Sequence, residues 1–386
     1  MLKLCLLTGE YPPEPGGVGA YTGCLAEALR ARGHEADVLT IQGGALVRYG
    51  ADGRAEALSR AGLDWSPRCW PPLIVALDAL RPAWLHIQYQ TGAYAMRPGV
   101  NLLPWRLRGL RGRPRVAVTF HDLLVPYLFP KAGPLRRWAN LRLARDSDAV
   151  VATNAADAER LRRITAHASQ LTPQIIPIGS NIPVAPPPGY DRGAWRAGLG
   201  VAPAELLVAY FGLLSPSKGA DVLVEALARL ELPWRLLLVG GAATAPQDVA
   251  HAHAVRARLA ELGLDGRVVA TGHVPDAEVS AHLLAADCAA LPFRDGASFR
   301  RGSLLAALAH GCPVISTAPA DADTAARLAP AALLAPPGDA PALATALGRL
   351  AADPALAAAL ATAGRALAAQ FSWDAIAAQH ERLYEV

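Results

Sequence analysis

The sequence predicts an α/β protein built from two doubly wound, parallel-sheet domains that face a cleft. Its 386 residues exceed the roughly 250–300 at which a single hydrophobic core usually stops growing. Short apolar runs alternate with helical patterns in both halves of the chain, as expected of parallel sheets that are covered on both faces. Between the two series lies a proline-rich stretch, residues 181–203, that can continue neither a helix nor a central strand.

The apolar runs predict six strands in each half. In the first half they are Leu2–Thr8, Ala36–Thr40, Trp84–Gln88, Val116–Phe120, Ala149–Ala152 and Gln174–Ile178. In the second half they are Leu206–Phe211, Arg235–Val239, Arg267–Thr271, Cys288–Leu291, Pro313–Thr317 and Ala331–Leu334. Helical patterns lie between them, among them Asp221–Leu230, Ala250–Leu262, Asp276–Ala285 and Ser303–His310. We therefore expect a first domain at residues 1–180, a linker at 181–203 and a second domain from residue 204.

The composition excludes several classes of protein. A hydrophobic content of 52% and a charged content of 18% exclude a disordered chain. The five cysteines form no CxxC pair, so no disulfide framework or zinc knuckle is predicted and a cytoplasmic location is expected. The N-terminal apolar run is too short for a signal sequence, and no run of about 18 uncharged apolar residues predicts a spanning helix.

Charge is unevenly distributed along the chain. Residues 1–180 hold 22 Lys and Arg against 14 Asp and Glu, whereas residues 181–386 hold 15 against 19. Much of the excess lies in a basic run made of Arg106, Arg108, Arg111, Arg113, Arg115, Lys131, Arg136, Arg137, Arg142 and Arg145. With Trp105 and Trp138 nearby, this run suggests peripheral contact with an anionic membrane at its inner face; the alternative is a solvated face. Aromatic residues are too sparse within it to predict nucleic-acid binding.

A glycine-rich loop follows the first predicted strand. Ligands of doubly wound sheets bind beyond the carboxyl ends of the strands, so polar or flexible residues there are the candidates. Gly16, Gly17, Val18 and Gly19 precede a helix, where backbone N–H groups could approach an anion; the alternative is a structural turn. The spacing is not G-x-G-x-x-G, and Asp37 lies inside its strand, so a nicotinamide-nucleotide site is not predicted.

His121 and Asp122 form a second candidate, directly after the strand Val116–Phe120. At such a strand end an imidazole can hydrogen-bond a substrate hydroxyl. The alternative is a surface pair that caps a loop. The position of His121 and Asp122 at the carboxyl end of a predicted strand favours the functional interpretation.

Lys218 is the third candidate, in the loop between the strand Leu206–Phe211 and the next helix, and Gly219 follows it. The chain has only three lysines against 34 arginines, so a lysine at this position is of more interest than it would be in a lysine-rich chain. A lysine beside a helix start can neutralise a phosphate, assisted by the helix dipole. The alternative is a solvated loop lysine.

The most charge-dense loop lies between the strand Cys288–Leu291 and a very apolar helix. Its polar residues are Arg294, Asp295, Ser298, Arg300 and Arg301, and Gly302 and Ser303 stand near the helix start. Two arginines and a helix N-terminus together would form a diphosphate clamp. The alternative is a solvated charged loop.

Together these features resemble the retaining glycosyltransferases of family 4 (glycosyl transferases group 1), whose GT-B architecture has two Rossmann-like domains. The matching motifs are Gly-Gly-Val-Gly at 16–19, His121-Asp122, Ile176-Pro-Ile-Gly179, Gly212 with Lys218-Gly219, Thr271-Gly-His-Val-Pro-Asp-Ala-Glu278, Ala307-Leu-Ala-His-Gly-Cys-Pro-Val-Ile315 and Phe371-Ser-Trp-Asp374. Each motif is weak alone, but their order and spacing over nearly the whole chain are specific.

The resemblance departs from the family at a pair of glutamates that normally stand eight residues apart. Counting back from Gly311, those two positions hold Ser298 and Ala306. Counting forward from Pro292, Asp295 falls near the first glutamate. We therefore expect a divergent subgroup in which Asp295 replaces the first glutamate and the second, which normally holds the ribose, is absent.

The resemblance implies transfer of a sugar from a nucleotide diphosphate sugar to a glycan, lipid-linked or small-molecule acceptor, with retention at the anomeric carbon. The donor would lie on the C-terminal domain, residues 204–370, and the acceptor on residues 1–180. A helix at 371–386 would pack back on the N-terminal domain. Leu213 stands where the family usually has an arginine, and Arg300 and Arg301 would offset that loss.

The family also implies roles for individual residues. Lys218, His121 and Asp295 would be catalytic: Lys218 stabilises the departing diphosphate, His121 contacts a donor-sugar hydroxyl or the reacting centre, and Asp295 accepts hydrogen bonds from sugar hydroxyls. Substrate-binding residues would be Gly16, Gly17, Val18, Asp122, Gly212, Thr271, His273, Val274, Ser298, Arg300, Arg301, Gly302 and Ser303. No Asp-x-Asp motif stands in a loop suited to metal binding, so no metal and no cofactor besides the donor substrate is expected.

Two other functions stay open at this point. A sugar-nucleotide epimerase of the same architecture would need acid and base carboxylates around the donor, and the candidate loops are poor in them. A non-catalytic nucleotide-sugar binding protein would be consistent with the missing glutamates.

Overall fold

A computed structural model describes residues 1–14, 16–123, 133–165, 172–240 and 246–385. The chain divides into two compact units. The first is Met1–Gly179 together with Trp373–Val386, and the second is Ser180–Ser372. Each unit contains one sheet with helices packed against it.

The strands are β1 (Lys3–Thr8), β2 (Glu35–Gln42), β3 (Ala45–Tyr49), β4 (Ala55–Ala57), β5 (Trp84–Tyr89), β6 (Arg115–Phe120), β7 (Ala149–Ala152), β8 (Gln174–Ile175), β9 (Leu206–Phe211), β10 (Trp234–Val239), β11 (Val268–Gly272), β12 (Cys288–Leu291), β13 (Val314–Thr317) and β14 (Ala332–Ala335). Every predicted strand is confirmed, although β8 is shorter than expected.

The helices are α1 (Gly17–Ala31), α2 (Trp70–Leu80), α3 (Gly99–Leu107), α4 (Gly133–Asp146), α5 (Ala155–Thr165), α6 (Arg192–Gly198), α7 (Ala220–Leu227), α8 (Pro246–Glu261), α9 (Asp276–Ala285), α10 (Gly302–Ala309), α11 (Ala322–Leu328), α12 (Ala340–Ala352), α13 (Pro354–Ala368) and α14 (Trp373–Glu385). Short 3-10 turns precede several of them, including the one at Pro216–Lys218.

The sheet of the first unit has the strand order β4-β3-β2-β1-β5-β6-β7-β8. Its six predicted strands run parallel, but β3 and β4 pair antiparallel at one edge. Gly43 and Gly44 form the turn between β2 and β3 with φ of 54° and 76°, a backbone that glycine adopts without strain. The six predicted strands did not include β3 and β4, and the Gly-Gly pair is the signal that would have predicted the hairpin of β2 and β3.

The sheet of the second unit has the order β11-β10-β9-β12-β13-β14 and is parallel throughout. Strand β9 lies between β10 and β12, and its interior residues are buried. Because parallel strands end at the same edge of a sheet, the loops that follow β9 and β12 emerge side by side. This topology is what brings the Lys218 loop and the Arg294–Ser303 loop together.

The predicted linker is not an unstructured connection. Helix α6 lies within it, and Asp191 caps this helix by accepting a hydrogen bond from the backbone N–H of Ala194 at 2.7 Å. Arg196 anchors the helix to the second unit by pairing with Asp287 at 2.9 Å. Proline content indicated a break between two series of elements, but the capping aspartate indicated this short helix, which the linker prediction missed.

Helix α14 belongs to the first unit, although it is last in the chain. Its buried face joins the cluster that includes Leu25 and Leu29 of α1. The indole N–H of Trp84 donates to the backbone oxygen of Tyr384 at 3.1 Å. On the outer side, the Arg32 guanidinium pairs with Glu381 at 2.7 Å. Apolar burial and these polar contacts together fix the C-terminal helix on the first sheet.

The sequence predicts neither a membrane-spanning helix nor a metal site. Within residues 1–14, 16–123, 133–165, 172–240 and 246–385, no single helix has both the length and the apolar character to cross a bilayer; α12 and the following Pro354–Glu385 pass only as a pair bent by 104°. The same residues contain no group of three or more His, Cys, Asp or Glu side chains arranged to hold a metal ion.

Candidate functional site

The predicted site residues fall into two groups, one in each unit. Gly16, Gly17, Val18, His121 and Asp122 lie in the first unit at the carboxyl ends of β1 and β6. The other predicted residues, from Gly212 to Ser303, lie in the second unit at the carboxyl ends of β9, β11 and β12.

The glycine-rich loop of the first unit is closed by an internal carboxylate. Glu10 Oε1 accepts hydrogen bonds from the backbone N–H groups of Val18 at 3.0 Å and Gly19 at 3.4 Å. A Cβ on Gly16 would overlap the Glu10 carboxyl, so glycine is needed for this approach. The Val18 N–H that the sequence analysis assigned to a ligand is therefore already bonded to Glu10, a residue that the sequence analysis did not single out.

His121 is held at the end of β6 as a neutral ring. Its Nε2 lies 3.0 Å from Gln88 Oε1, and its ring packs edge-on against Tyr21 at a centroid distance of 4.6 Å. Burial, with a further contribution from His380, lowers the pKa of His121 to about 3. Because an amide oxygen only accepts, Nε2 carries the proton, which leaves Nδ1 as an acceptor for a hydroxyl. Asp122 follows it and is half-buried.

Two glycines allow the Lys218 loop of the second unit to fold tightly. Gly212 has φ of 133° and follows β9, and a Cβ there would overlap Lys218 Nζ. Gly219 has φ of 68°, and a Cβ there would overlap the backbone oxygen of Pro292. The Lys218 side chain consequently crosses the end of β9, while the loop itself contacts the loop that follows β12.

The loop after β12 is bonded to the Lys218 loop and to itself. The Arg294 N–H donates to Ser217 O at 2.9 Å, which joins the two loops through their backbones. One guanidinium nitrogen of Arg301 lies 2.5 Å from both carboxylate oxygens of Asp295. The Ser298 hydroxyl oxygen accepts from the Arg300 N–H at 3.1 Å. The structure thus brings Asp295, Ser298 and Arg301 together in front of α10.

The charge of Lys218 is not neutralised within the described part of the chain. No hydrogen bond or ion pair of Lys218 is formed there, and the side chain is half-buried. Its pKa is lowered mainly by burial and further by the positive charge of Arg301, while Asp248 acts in the opposite direction. Two cations that repel each other at one sheet edge are an arrangement that an anion would stabilise.

The N-terminus of α10 faces the same loop. Arg301 is its N-cap residue, and no side chain caps the helix there. Among the described residues, the backbone N–H groups of Gly302 and Ser303 have no hydrogen-bond partner. Free N–H groups at a helix start attract negative charge, which adds to that of the two cations.

Thr271, His273 and Val274 lie apart from these loops. They stand at the end of β11, which is separated from β9 by β10. Thr271 Oγ1 donates to Gly272 O at 2.8 Å, and Gly272 adopts φ of 68°. His273 is exposed and Val274 is half-buried. They share the carboxyl edge of the sheet with Lys218, but within the described residues no hydrogen bond or ion pair joins them to it.

Two family models match the chain, one in each unit. Residues 16–173 match a model described as a glycosyl transferase 4-like domain. Residues 205–353 match a model described as glycosyl transferases group 1. The chain is a glycosyltransferase. Each model covers most of one of the two parallel-sheet units of this glycosyltransferase.

Two curated relatives of this glycosyltransferase align with most of the chain at 26% and 29% identity. A D-inositol 3-phosphate glycosyltransferase of Jonesia denitrificans is 26% identical over 401 aligned positions, which cover 96% of this chain and 91% of the relative. One of the same name from Kineococcus radiotolerans is 29% identical over 79% of this chain and 73% of its own.

Solved glycosyltransferases share the fold. The sucrose-phosphate synthase of Thermosynechococcus elongatus superposes with a TM-score of 0.74 at 26% identity, covering 100% of this chain and 98% of its own. Anabaena Alr3699/HepE, solved in complex with UDP, superposes with a TM-score of 0.73 at 20% identity over 100% of both chains. These similarities confirm the GT-B fold that the motifs predicted.

The glycosyltransferase also contains an ion pair that the sequence analysis did not predict. The guanidinium of Arg294 pairs with Asp221 in the first turn of α7. His251 Nε2 lies 3.7 Å from the other Asp221 oxygen, and both atoms are buried. An acidic residue two positions after Gly219, in the first turn of a helix, was the available signal. This pair ties the Arg294 loop to α7.

Ala306, at the position of the family's second glutamate, is fully buried in the middle of α10. It offers no polar group to a ligand. Ser298, at the first position, presents its hydroxyl to the Arg300 N–H, and the nearest carboxylate in the loop is that of Asp295. Neither position of the family's glutamate pair therefore holds a glutamate in this chain.

Proposed function

We propose that this protein transfers a sugar, with retention, from a nucleotide diphosphate sugar to an acceptor hydroxyl, and that the donor binds in the second unit. The observation that carries the proposal is Lys218. It is half-buried, has no acidic partner in the described part of the chain, and lies beside Arg301 and the open N-terminus of α10. This is where a diphosphate would be neutralised.

The proposed chemistry is a front-side displacement. The acceptor oxygen forms its bond to the anomeric carbon on the face from which the diphosphate departs, and the bonding pair of the broken C–O bond leaves with the diphosphate. A diphosphate oxygen takes the acceptor proton. Lys218, Arg301 and the N–H groups of Gly302 and Ser303 stabilise the charge that develops on the leaving group, so no metal ion is required.

The remaining predicted residues take supporting roles in this proposal. The segment from Thr271 to Val274 lines the base pocket through its backbone. His121, with a neutral ring and Nδ1 as an acceptor, hydrogen-bonds a sugar hydroxyl. The first unit binds the acceptor, which is a glycan, a lipid-linked sugar or a small molecule. Anabaena Alr3699/HepE was solved in complex with UDP and with UDP-glucose, which supports a nucleotide diphosphate sugar as the donor class.

The test is Lys218→Ala, measured by nucleoside diphosphate release from UDP-, ADP- and GDP-sugars. The wild type should hydrolyse or transfer at least one donor, and Lys218→Ala should lose about 100-fold in kcat, because a preorganised donor to the leaving group is removed. Lys3→Ala is the matched control, since Lys3 lies in the first unit and pairs with Glu35 at 3.6 Å. Unchanged turnover in a folded Lys218→Ala protein would contradict the assignment.

A non-catalytic nucleotide-sugar binding protein is a second candidate, because Ala306 removes a carboxylate that the family usually has. The same assay separates the two candidates. A wild type that binds donors but neither transfers nor hydrolyses them is a binding protein. Interconversion of the donor sugar without release would instead indicate an epimerase.

We also propose that the first unit contacts an anionic membrane through α3 and α4, which pack against each other. Their outer faces expose Trp105 by 50%, Trp138 by 48% and Leu135 by 67%. Arg106 and Arg137, next to the two tryptophans, form no ion pair within the described residues. Apolar side chains interleaved with unpaired cations are typical of interfacial binding.

Several arginines of the basic run are engaged within the protein and are therefore not available to a membrane. Asp146 pairs with Arg108 and Arg142, and Asp148 pairs with Arg113. In addition, Arg115 stacks on Trp84 with its guanidinium carbon 4.3 Å from the ring centre. Lys131 lies outside the described residues, and nothing is described of the Arg136 side chain.

Co-sedimentation with vesicles tests the membrane proposal. The protein should bind vesicles that contain phosphatidylglycerol at low salt and less at high salt, and should not bind phosphatidylcholine vesicles. Trp105→Ala with Trp138→Ala should reduce binding, whereas Trp195→Ala in the second unit should not. Equal binding by the double variant, or no binding by the wild type, would refute it.

A further inference from the structure

We infer that Asp295 is an internal counter-ion of Arg301 that the donor diphosphate displaces. When the donor binds, the guanidinium of Arg301 pairs with the phosphate instead of the Asp295 carboxylate. Asp295 can then accept hydrogen bonds from the donor sugar. This inference rests on the proposed function and goes beyond it, because it makes Asp295 the residue that distinguishes a nucleotide diphosphate sugar from a bare nucleoside diphosphate.

The two partners of this ion pair are held unequally. Arg301 is the N-cap residue of α10, its guanidinium carbon lies 4.9 Å from the centre of the Phe293 ring, and its side chain is only 21% exposed. The Asp295 side chain is 63% exposed. Arg301 is therefore already placed for a ligand, and Asp295 can turn into solvent without disturbing packed groups.

The backbone on both sides of Asp295 is fixed. The Arg294 N–H donates to Ser217 O at 2.9 Å, and the Ala297 N–H donates to Thr317 O at 3.2 Å. Gly296 has φ of 86°, and a Cβ on it would meet the backbone oxygen of Ala318 at 2.6 Å. The exchange consequently needs only rotation of the Asp295 side chain, with no movement of the loop.

Charge favours the exchange when a diphosphate enters. A partly exposed ion pair is worth little, because water screens it and the side chains lose freedom in forming it. A diphosphate carries more charge than a carboxylate, and it would contact Lys218, which repels Arg301, at the same time. The same exchange leaves Asp295 without a partner unless sugar hydroxyls accompany the diphosphate.

We therefore expect the protein to bind the nucleotide diphosphate sugar in preference to the nucleoside diphosphate product. A donor supplies both the diphosphate for Arg301 and the hydroxyls for Asp295. The nucleoside diphosphate that remains after transfer supplies only the first, so Asp295 competes with it for Arg301. Asp295 thus favours binding of the donor and release of the product.

The test is isothermal titration of Asp295→Asn with UDP, ADP and GDP and with their glucose conjugates. The amide keeps the shape but removes the charge, so affinity for the nucleoside diphosphate that the wild type binds should rise about two- to fivefold, the worth of an exposed ion pair. Affinity for the corresponding sugar conjugate should not rise. In an Arg301→Met background, Asp295→Asn should leave the diphosphate affinity unchanged.

Asp265→Asn is the matched control, because it removes one exposed carboxylate from the same unit without a described ion pair. Asp295→Ser serves as a second variant if the amide perturbs folding. If the wild type binds a nucleoside diphosphate and Asp295→Asn binds it no more tightly than Asp265→Asn does, the exchange is wrong and the proposed function stands. If the wild type binds none of the six compounds, the proposed function itself fails and this inference with it.

Discussion

We expect two buried histidines, His86 and His380, and the half-buried His121 to make the stability of the first unit depend on pH. His86 lies 2.8 Å from Thr119 Oγ1 through Nε2. The His380 ring on α14 is 5.3 Å from the His86 ring, and its Nδ1 donates to Ile376 O at 2.9 Å. Its Nε2 is buried without a partner among the described residues. Burial lowers the pKa of all three, including His121, so the folded state holds them neutral.

The pKa of His380 gives the contribution of this one residue to the pH dependence of stability. Burial lowers its pKa from 6.5 to about 4. Because the folded state binds the proton more weakly than the unfolded state, the stability is fully present above pH 6.5 and is lost as the pH falls towards 4. Between pH 7.5 and 5.0 the loss is about 2 kcal/mol for this one residue, at about 1.4 kcal/mol for each pH unit below 6.5.

The pH effect can be assigned with His380→Phe, which keeps an aromatic ring of similar size and removes the titrating group. The ring lies near His86, His121 and Tyr384. On the surface of α14, Glu381 pairs with Arg32 and His34, and Asp374 pairs with Arg32. Urea unfolding at pH 5.0, 6.0 and 7.5 should show about 2 kcal/mol less loss in the variant than in the wild type.

The control for this measurement is His253→Phe, at an exposed position of α8 in the second unit. Its pH dependence should equal that of the wild type. If His380→Phe and the wild type lose the same stability between pH 7.5 and 5.0, proton uptake by His380 does not govern the first unit and the reasoning is refuted.

Two further predictions concern backbone features of the site loops. Glu10→Ala should lower the stability of the first unit by about 1 kcal/mol, because it leaves the Val18 N–H without its acceptor. Glu10→Gln should lose less stability. An unchanged melting temperature in Glu10→Ala would contradict the role of Glu10 as acceptor for this N–H. Gly219→Ala should destabilise the second unit by at least about 1 kcal/mol through its positive φ and overlap with Pro292 O, and Gly302→Ala, where a Cβ meets open space, is the control in the same thermal melts.

The sequence predicted those parts of the fold that local patterns encode. The apolar runs located β9 and β12, and a parallel topology follows from alternating strands and helices. From that topology alone, Lys218 and the Arg294–Ser303 loop had to lie at one edge of the second sheet. Strands β3 and β4 escaped this reasoning because they are short and largely unburied, so they leave little apolar signal.

The sequence could not predict which charges neutralise each other. The basic run was interpreted as a uniform cationic surface, yet Asp146 and Asp148 pair with three of its arginines. Glu10 was not singled out as a partner of the Val18 N–H, because no motif connects a carboxylate to a helix start eight residues away. The pairing of Asp295 with Arg301 was likewise not predicted, although both residues were candidates.

By itself, the sequence determined the order of the strands and helices, their division into two parallel-sheet units and the loops that carry the candidate residues. Only the tertiary structure decided that Glu10 closes the glycine loop, that Asp295 pairs with Arg301, and that Tyr384 lies 2.6 Å from His86, 298 residues earlier in the chain. The physical reason is that burial periodicity is a property of neighbouring residues, whereas a hydrogen bond or ion pair depends on where the packed elements bring distant side chains together.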